Sequence, residues 1–553
     1  MLKRQYLPAV ATRAPWVARA LERVPAAPVL VAAFFALMGA AWLMATPPGS
    51  SFDEPAHFVK ALGVGRGELA GTPVPTLRDP RRAFYDAARR DLKSLDALVK
   101  AAETPGGRWQ LRTQRLFEVP AGRTRRSWGC TVFHPELSGA CAKSGPVAPP
   151  PPGARLPTYA GTYQPFAYVP AGLALRVAHG PELGMRLARA ATMAIALALL
   201  IAAAALLWSP RAGVLGLLGL VMAVTPMVLF VSSVLSPSAA EITGALCFAA
   251  ALLRLVRDEP PPRWLWVALA AAGAVLAGAR TLGPAFAVLL VVGVGLLAGP
   301  RTFIARVRAG GRAAVAAGAI VALGAAASLA WQVAYQPRPA PSRTGVTDAI
   351  VPSWEHLGRV LLEAIGVFGA LDAEMPAWGY VLWAALLAAL ATAAFAAGDR
   401  RDRISIVGLA AAAVVVTMVM SVVYREIGPL HGRYALPFLV VVPLWLAEIL
   451  LRRRDRLAPG LLQALVPAIL GGAAVVHLLG WWTDARRFAV GDGGSWAFFR
   501  APAWSPPPGW WLWLLLAVAS CALYVVVAAS ALRTARAASP PAEPPARPQS
   551  VGV

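Results

Sequence analysis

Apolar runs of about 20 residues, the length a helix needs to cross the hydrocarbon core of a bilayer, recur along this chain from Pro28 to Leu532. Inside a bilayer no water is present to bond with the backbone, so each run must satisfy its own N–H and C=O groups as a helix. With 58% hydrophobic and only 14% charged side chains among 553 residues, too few polar groups exist to solvate a globule of this size. The composition therefore predicts an all-α polytopic membrane protein and excludes a soluble enzyme.

The runs place spans at 28–45, 184–208, 214–235, 239–256, 264–279, 283–299, 313–335, 376–397, 404–424, 435–451, 460–482 and 510–532, a bundle of about 12 transmembrane helices. Residues 264–299 admit a second reading, one very long helix instead of two hinged at Arg280-Thr-Leu-Gly-Pro284. Merging them would carry Arg452-Arg-Arg-Asp-Arg456 to the opposite side from the other arginine-rich breaks. With two helices, the breaks at Arg211, Arg257 and Arg263, Arg301 to Arg312, Arg400 to Arg403 and Arg452 to Arg456 share one side with both termini, and the positive-inside rule makes that side cytoplasmic. Residues 1–27 then form a cytoplasmic leader and 533–553 a Pro- and Ala-rich cytoplasmic tail of disordered composition. The sequence Ala45-Thr-Pro-Pro48 is a poor cleavage site, so the first span is read as uncleaved.

Residues 46–183 form one large extracytoplasmic loop ahead of the 184–532 bundle. The net charge of +24 does not imply nucleic acid here. Part of it is the arginine collar beside anionic headgroups, and much of the rest lies in this loop, at Arg78, Arg81, Arg82, Arg89, Arg90, Lys93, Arg123, Arg125 and Arg126. Long loops translocate largely regardless of charge. Such a surface suits a phosphate-bearing lipid or anionic polymer, and equally a generic solvated face. Cys130 and Cys141 lie in the loop, where an oxidising compartment permits a bridge around His134 and Pro135; Cys247 and Cys521 fall within spans. Pro149-Pro-Pro-Pro152 is a stiff spacer. The apolar stretch 171–178, preceded by three tyrosines, is too short to span and predicts a helix in the outer interface. Residues 483–508, with Trp496, Phe498, Phe499 and Trp504, are expected over the outer mouth.

Chemistry enters at Ser51-Phe-Asp-Glu-Pro-Ala-His-Phe58, just outside the first span. An enzyme building glycans at an outer surface has no nucleotide sugars and must draw on lipid phosphates, which requires an acid for the acceptor, positive charge for the departing phosphate and an apolar groove. Asp53, with Glu54 as helper, supplies the acid, either taking the proton of the attacking hydroxyl or holding a divalent cation such as Mg2+ or Mn2+. The same pair also fits a helix start, since Pro55 suits a first turn and acids favour its positive end; residue type leaves both open. Arg280, Arg425 and Arg433 are predicted at outer ends of spans. An arginine within a membrane helix costs roughly 2.5–3.5 kcal/mol, so Arg280 should snorkel or find a partner. His57 follows Asp53 by one helical turn and would orient it or contact phosphate. His134, Asp372 with Glu374, and Glu426 read as interfacial polar residues. Gly63, Gly65 and Gly67 have no strand before them and mark a turn after a short helix, not a dinucleotide fingerprint.

The order Phe52-Asp-Glu-Pro-Ala-His-Phe58, Tyr163-Gln-Pro-Phe-Ala-Tyr-Val-Pro170, Ser236-Pro-Ser-Ala-Ala-Glu241, Arg280-Thr-Leu-Gly-Pro284, Phe368-Gly-Ala-Leu-Asp372 and His431-Gly-Arg-Tyr-Ala-Leu-Pro437 resembles the bacterial multi-pass family catalogued as domain of unknown function 2142, over about residues 40–450. This chain departs from that family's pattern at Ser238 and His431, so the acidic and amide roles of those positions do not carry over. The family's layout is similar to that of the GT-C glycosyltransferases, which use polyprenyl-phosphate sugars and carry an acidic pair in the first outer loop. The resemblance implies a GT-C-like bundle with Asp53 as catalytic base or metal contact. With Glu54 beside Asp53, the residues themselves offer His57, Arg280, His431, Arg433 and Tyr434 as the donor-binding set. The expected activity is transfer of a sugar from a polyprenyl-phosphate donor to a cell-wall or surface glycan at the outer face of the plasma membrane. A transporter or flippase of lipid-linked precursors is the rival reading, and a non-catalytic envelope assembly protein a third.

Overall fold

The computed structural model describes residues 26–74, 105–125, 127–144, 155–337, 345–425 and 427–537. The leader up to residue 25, the basic residues Arg78, Arg81, Arg82, Arg89, Arg90, Lys93 and Arg126, the Pro149–Pro152 spacer, Glu426 and the tail from 538 lie outside the described residues.

Proline and small polar caps set where the helices begin. The first span is α1 (Ala26–Ala45), followed by α2 (Glu54–Gly65), with Pro55 in its first turn. Two short helices, α3 (Pro105–Thr113) and α4 (Cys141–Ser144), punctuate the long connection. Next come α5 (Val169–Val177), α6 (Pro181–Leu207), α7 (Leu215–Ala223), α8 (Pro226–Ser233), α9 (Pro237–Val256), α10 (Leu265–Ala279), α11 (Gly283–Ala298) and α12 (Pro300–Ala309). The remainder is α13 (Gly311–Tyr335), α14 (Val346–Gly366), α15 (Ala377–Ala397), α16 (Arg400–Tyr424), α17 (Gly432–Leu439), α18 (Val441–Arg453), α19 (Pro459–Val490) and α20 (Trp510–Ala537). Proline tolerates a first helical turn because the N–H it lacks would be unpaired there.

Among the described residues nine helices are long and apolar enough to cross a membrane, or up to eleven if each of two bent pairs is one span. The chain is an all-α multi-pass membrane protein embedded in a lipid bilayer. The expected span 214–235 is a bent pair, with α7 and α8 meeting at 64°. Pro226 breaks the ladder there, and the freed groups are paired internally: Thr225 Oγ1 accepts from Val228 N at 3.3 Å and donates to Ala364 O at 2.7 Å, while Val224 O lies 3.0 Å from His477 Nε2. Residues 264–299 form two helices, α10 and α11, separated by the Arg280 hinge. Helix α19 runs beyond the expected end at 482 to Val490, because Asp484 and Arg487 in its extra turns are buried and bonded.

One element escapes a search for apolar runs. Helix α14 has an apolar face that leaves Ile350, Val351, Trp354 and Leu361 exposed. Its other face packs on α17, so tightly that a Cβ on Gly432 would lie 2.3 Å from Ala364 N.

The long connection between α1 and α6 folds over one end of the bundle. Three short antiparallel strands, β1 (Thr72–Pro73), β2 (Arg115–Glu118) and β3 (Arg155–Thr158), lie in the order β1-β2-β3, with Arg115 opposite Thr158. Helices α2 and α5 cross where Gly65 meets Gly172; a Cβ on Gly65 would stand 2.2 Å from Gly172 O. A disulfide joins Cys130 to Cys141. Arg487 collects the bridged loop by donating to Leu137 O at 2.6 Å and to Thr131 O and His134 O at 3.0 Å, with Asp372 as its counter-ion at 2.8 Å. Ala503 and Trp504 donate to Ala489 O, so the segment after α19 caps the same end. At the opposite end sit the arginine pairs Arg257–Glu448 at 2.8 Å and Arg453–Asp402 at 2.8 Å.

Candidate functional site

Asp53 occupies the turn between α1 and α2 with φ of 59°, in the left-handed region. Although it stands at the N-cap position, its side chain makes no capping bond. The helix-opening role is thus not the one its carboxylate plays. Left-handed backbone, which Asp tolerates better than most residues, turns the carboxylate away from the α2 N–H groups and toward α17. Arg433 Nη2 donates to Oδ2 at 2.9 Å, and the Tyr159 hydroxyl donates to Oδ1 at 2.6 Å. Tyr159 is placed by β3, whose last residue, Thr158, donates its hydroxyl to Ala56 O at 2.8 Å. Burial pushes the Asp53 carboxyl up, but the Arg433 charge and the Tyr159 hydrogen bond outweigh it and hold the group below the ordinary carboxylate value. Its side chain remains 32% exposed.

Glu54 goes the other way. Its oxygens accept from Arg189 Nε and Nη2, both at 2.6 Å, from Gly49 N at 2.9 Å and from Leu235 N at 3.0 Å, and both side chains are fully buried. Arg189 also donates to the carbonyls of Leu43, Thr46 and Pro47. A carboxylate so fully engaged has no lone pair left for a substrate. The helper role expected of Glu54 therefore gives way to a structural one: it fastens α1, the 46–54 turn, α6 and the start of α9.

Arg433 lies at the start of α17 with its guanidinium 3.9 Å over the Phe52 ring and 4.8 Å from the Tyr434 centroid, and Nη2 also reaches the Tyr434 hydroxyl at 3.0 Å. Planar stacking of this kind suits arginine and not lysine. Its Nη1 is buried without an acceptor. Arg280, at the α10–α11 hinge, lies 4.4 Å from the same Tyr434 ring, donates to Ser238 Oγ at 2.7 Å, and has Glu241 at 3.9 Å. The partner anticipated for Arg280 is thus a serine and a loose carboxylate. Beside Arg280 lies a small cleft lined by Glu241, Arg280, Thr281, Leu282, Phe286, Tyr424 and Tyr434.

His57 is buried, and burial holds its imidazole down to about 4, so it is neutral at pH 7. Its Nδ1 lies 2.7 Å from the Tyr168 hydroxyl. His431 stands one layer back, 3.3 Å from Glu363, which also accepts from Gly432 N at 2.9 Å and Arg359 Nε at 3.1 Å. It braces the start of α17. Arg425 donates to Val422 O at the end of α16.

The structure thus brings Asp53, His57, Arg280, Arg433 and Tyr434 into one cluster, sets His431 behind it and separates Glu54 from it. Among the described residues no group of three or more His, Cys, Asp or Glu side chains could hold a metal ion. Sequence reasoning missed Tyr159, Tyr424, Arg189 and Glu241 as members or supports. Glu241 and Arg189 had a usable signal: an ionisable residue inside an apolar span is functional or paired by default.

No curated protein and no solved structure matches the chain. The family described as a predicted membrane protein, domain of unknown function 2142, matches residues 35–442. That stretch runs from α1 through the Asp53 turn and the Arg280 hinge to Arg433, so every charged member of the cluster lies within it. The chain belongs to this family of multi-pass membrane proteins.

Proposed function

We propose that this protein is a GT-C-like glycosyltransferase that moves a sugar from a polyprenyl-phosphate donor to a cell-wall or surface-glycan acceptor at the outer face of the plasma membrane, with both termini cytoplasmic. The observation that carries this reading is the contact of Arg433 with Asp53 at 2.9 Å beside the Arg280 cleft. In it an acid and two guanidinium groups lie close together. In the proposed step the acceptor hydroxyl attacks the sugar C1 and its proton passes to Asp53. The C1–O bond to phosphate breaks, and the departing oxygen takes the electron pair against Arg433 and Arg280. In the resting protein Arg433 is held by Asp53; an incoming phosphate competes for that guanidinium and releases the carboxylate to act as a base.

The test is a transfer assay with the purified protein in lipid nanodiscs, polyprenyl-phosphate sugars extracted from the cells that make it, and their envelope glycan as acceptor. Wild type forms labelled product and Asp53→Asn does not. Equal product from the two overturns the reading.

A transporter of lipid-linked precursors is favoured by different features: the bent α7–α8 and α11–α12 pairs and a buried Asp484 whose Oδ1 has no partner. Broken helices and intramembrane acids are usual at transport sites. Uptake into proteoliposomes without any transfer product would select it.

A further inference from the structure

Glu241 is the one carboxylate in the wall of the cleft, and the preceding scheme gives it no role. Its side chain is 3% exposed and lines the cleft, yet among the described residues no donor hydrogen-bonds to it, and its nearest cation, Arg280 Nε, stands 3.9 Å away. A buried carboxylate normally collects two or more donors, as Glu54 does with four. Glu241 instead borders the small cleft beside Arg280. Its location on α9 is fixed by the Ser236 cap and Pro237, and Ser238 on the same turn holds Arg280.

The charges around the cleft are graded. Behind the Tyr434 ring, next to the cleft and not in its wall, Arg433 has a buried Nη1 with no acceptor. In the wall itself a carboxylate waits, and it repels a phosphate. Between them stand Arg280 and the stacked rings of Tyr424 and Tyr434, 6.0 Å apart. A ligand matching this order has an anionic group at one end and hydrogen-bond donors with an apolar flank at the other. A phosphate esterified to a sugar has that order, because the ring hydroxyls donate to a carboxylate and the C–H faces pack on aromatic rings.

Building on the transferase reading, we propose that Glu241, with Tyr424 and Tyr434, forms the sugar subsite. Its carboxylate accepts hydrogen bonds from ring hydroxyls of the glycosyl unit whose phosphate sits at Arg433 and Arg280. It acts on selectivity for the glycosylated lipid over the bare polyprenyl phosphate, not on capture of the phosphate.

The experiment compares binding of glycosylated polyprenyl phosphate and bare polyprenyl phosphate to the full-length protein in nanodiscs, for wild type, Glu241→Gln, Glu241→Asp and Ser238→Ala. Wild type prefers the glycosylated lipid. Glu241→Gln loses about tenfold to a hundredfold in affinity for that lipid, the size of a charged hydrogen bond, and keeps its affinity for the bare one. Glu241→Asp retains an intermediate preference, which shows a folded site, whereas Ser238→Ala, acting through Arg280, weakens both lipids alike. Equal weakening of both lipids by Glu241→Gln, or an unchanged preference, overturns the sugar subsite while leaving the phosphate site standing. Failure of wild type to bind either lipid overturns the transferase reading along with it.

Discussion

Arg433 Nη2 stands 2.9 Å from Asp53 Oδ2 across 380 residues of sequence. The pair closes the distance between the first turn after α1 and the start of α17, and the guanidinium is flattened onto Phe52, the residue before Asp53. Geometry of this kind depends on a planar cation. Arg433→Lys is therefore expected to fold normally yet lose about 10²–10³-fold in transfer rate, the size seen when one donor to a developing negative charge is removed. Wild-type transfer by that variant, measured on protein with an unchanged melting curve, contradicts the role given to the guanidinium.

The two adjacent acids should behave oppositely. Glu54→Gln leaves Arg189 buried without its counter-ion, which typically costs about 3–5 kcal/mol. Thermal unfolding in detergent should show a large loss of stability, or no folded protein. Asp53→Asn, at a partly exposed site, should unfold close to wild type. The reverse order would mean that their assignments are exchanged.

Much of this was legible in the sequence because bilayer crossing imposes a length and a composition on each segment. The break at Arg280-Thr-Leu-Gly-Pro284, the start of α1 and the loop-bearing Asp53 turn all follow from apolar runs and their punctuation. What escaped was set by contacts between distant segments. The sequence of α14 is too polar for a span, so its existence depends on an amphipathic face and on Glu363 reaching Gly432. The divergence of Asp53 and Glu54 depends on a left-handed φ and on Arg189, more than 130 residues away. Tyr159 reaches Asp53 only because β3 is tied to α2. No local pattern encodes those meetings.

Lys60 provides a pH signature for the loop-bearing end. It is fully buried, donates to Leu69 O at 2.6 Å and Gly161 O at 2.8 Å, and burial lowers its ammonium to about 7. The unfolded chain, titrating near 10.5, binds more protons between about pH 7 and 10.5, so stability rises with pH over that window. Hydrogen exchange of the 60–72 and 159–163 segments should slow from pH 7 to 9 after correction for intrinsic rates. Lys60→Met should abolish that dependence; a slope unchanged in Lys60→Met assigns it elsewhere.

The bridged loop is held twice. Closing an 11-residue separation by the Cys130–Cys141 disulfide is worth about 3 kcal/mol in the chain-entropy model. Arg487 binds three carbonyls of the same loop. Arg487→Met should therefore raise proteolytic cleavage within 131–139 even with the disulfide intact, and more than Cys130→Ser with Cys141→Ser does. Equal protection in Arg487→Met and wild type shows that the arginine is dispensable for docking.

The most direct measurement is donor binding and sugar transfer on the same preparation of Asp53→Asn. Removing the carboxylate's charge frees Arg433 for phosphate, so donor affinity should hold or tighten while transfer falls by about 10²–10⁴-fold. Transfer within tenfold of wild type, or donor binding lost together with transfer, would contradict an acid that surrenders its arginine to the donor and then takes the acceptor's proton.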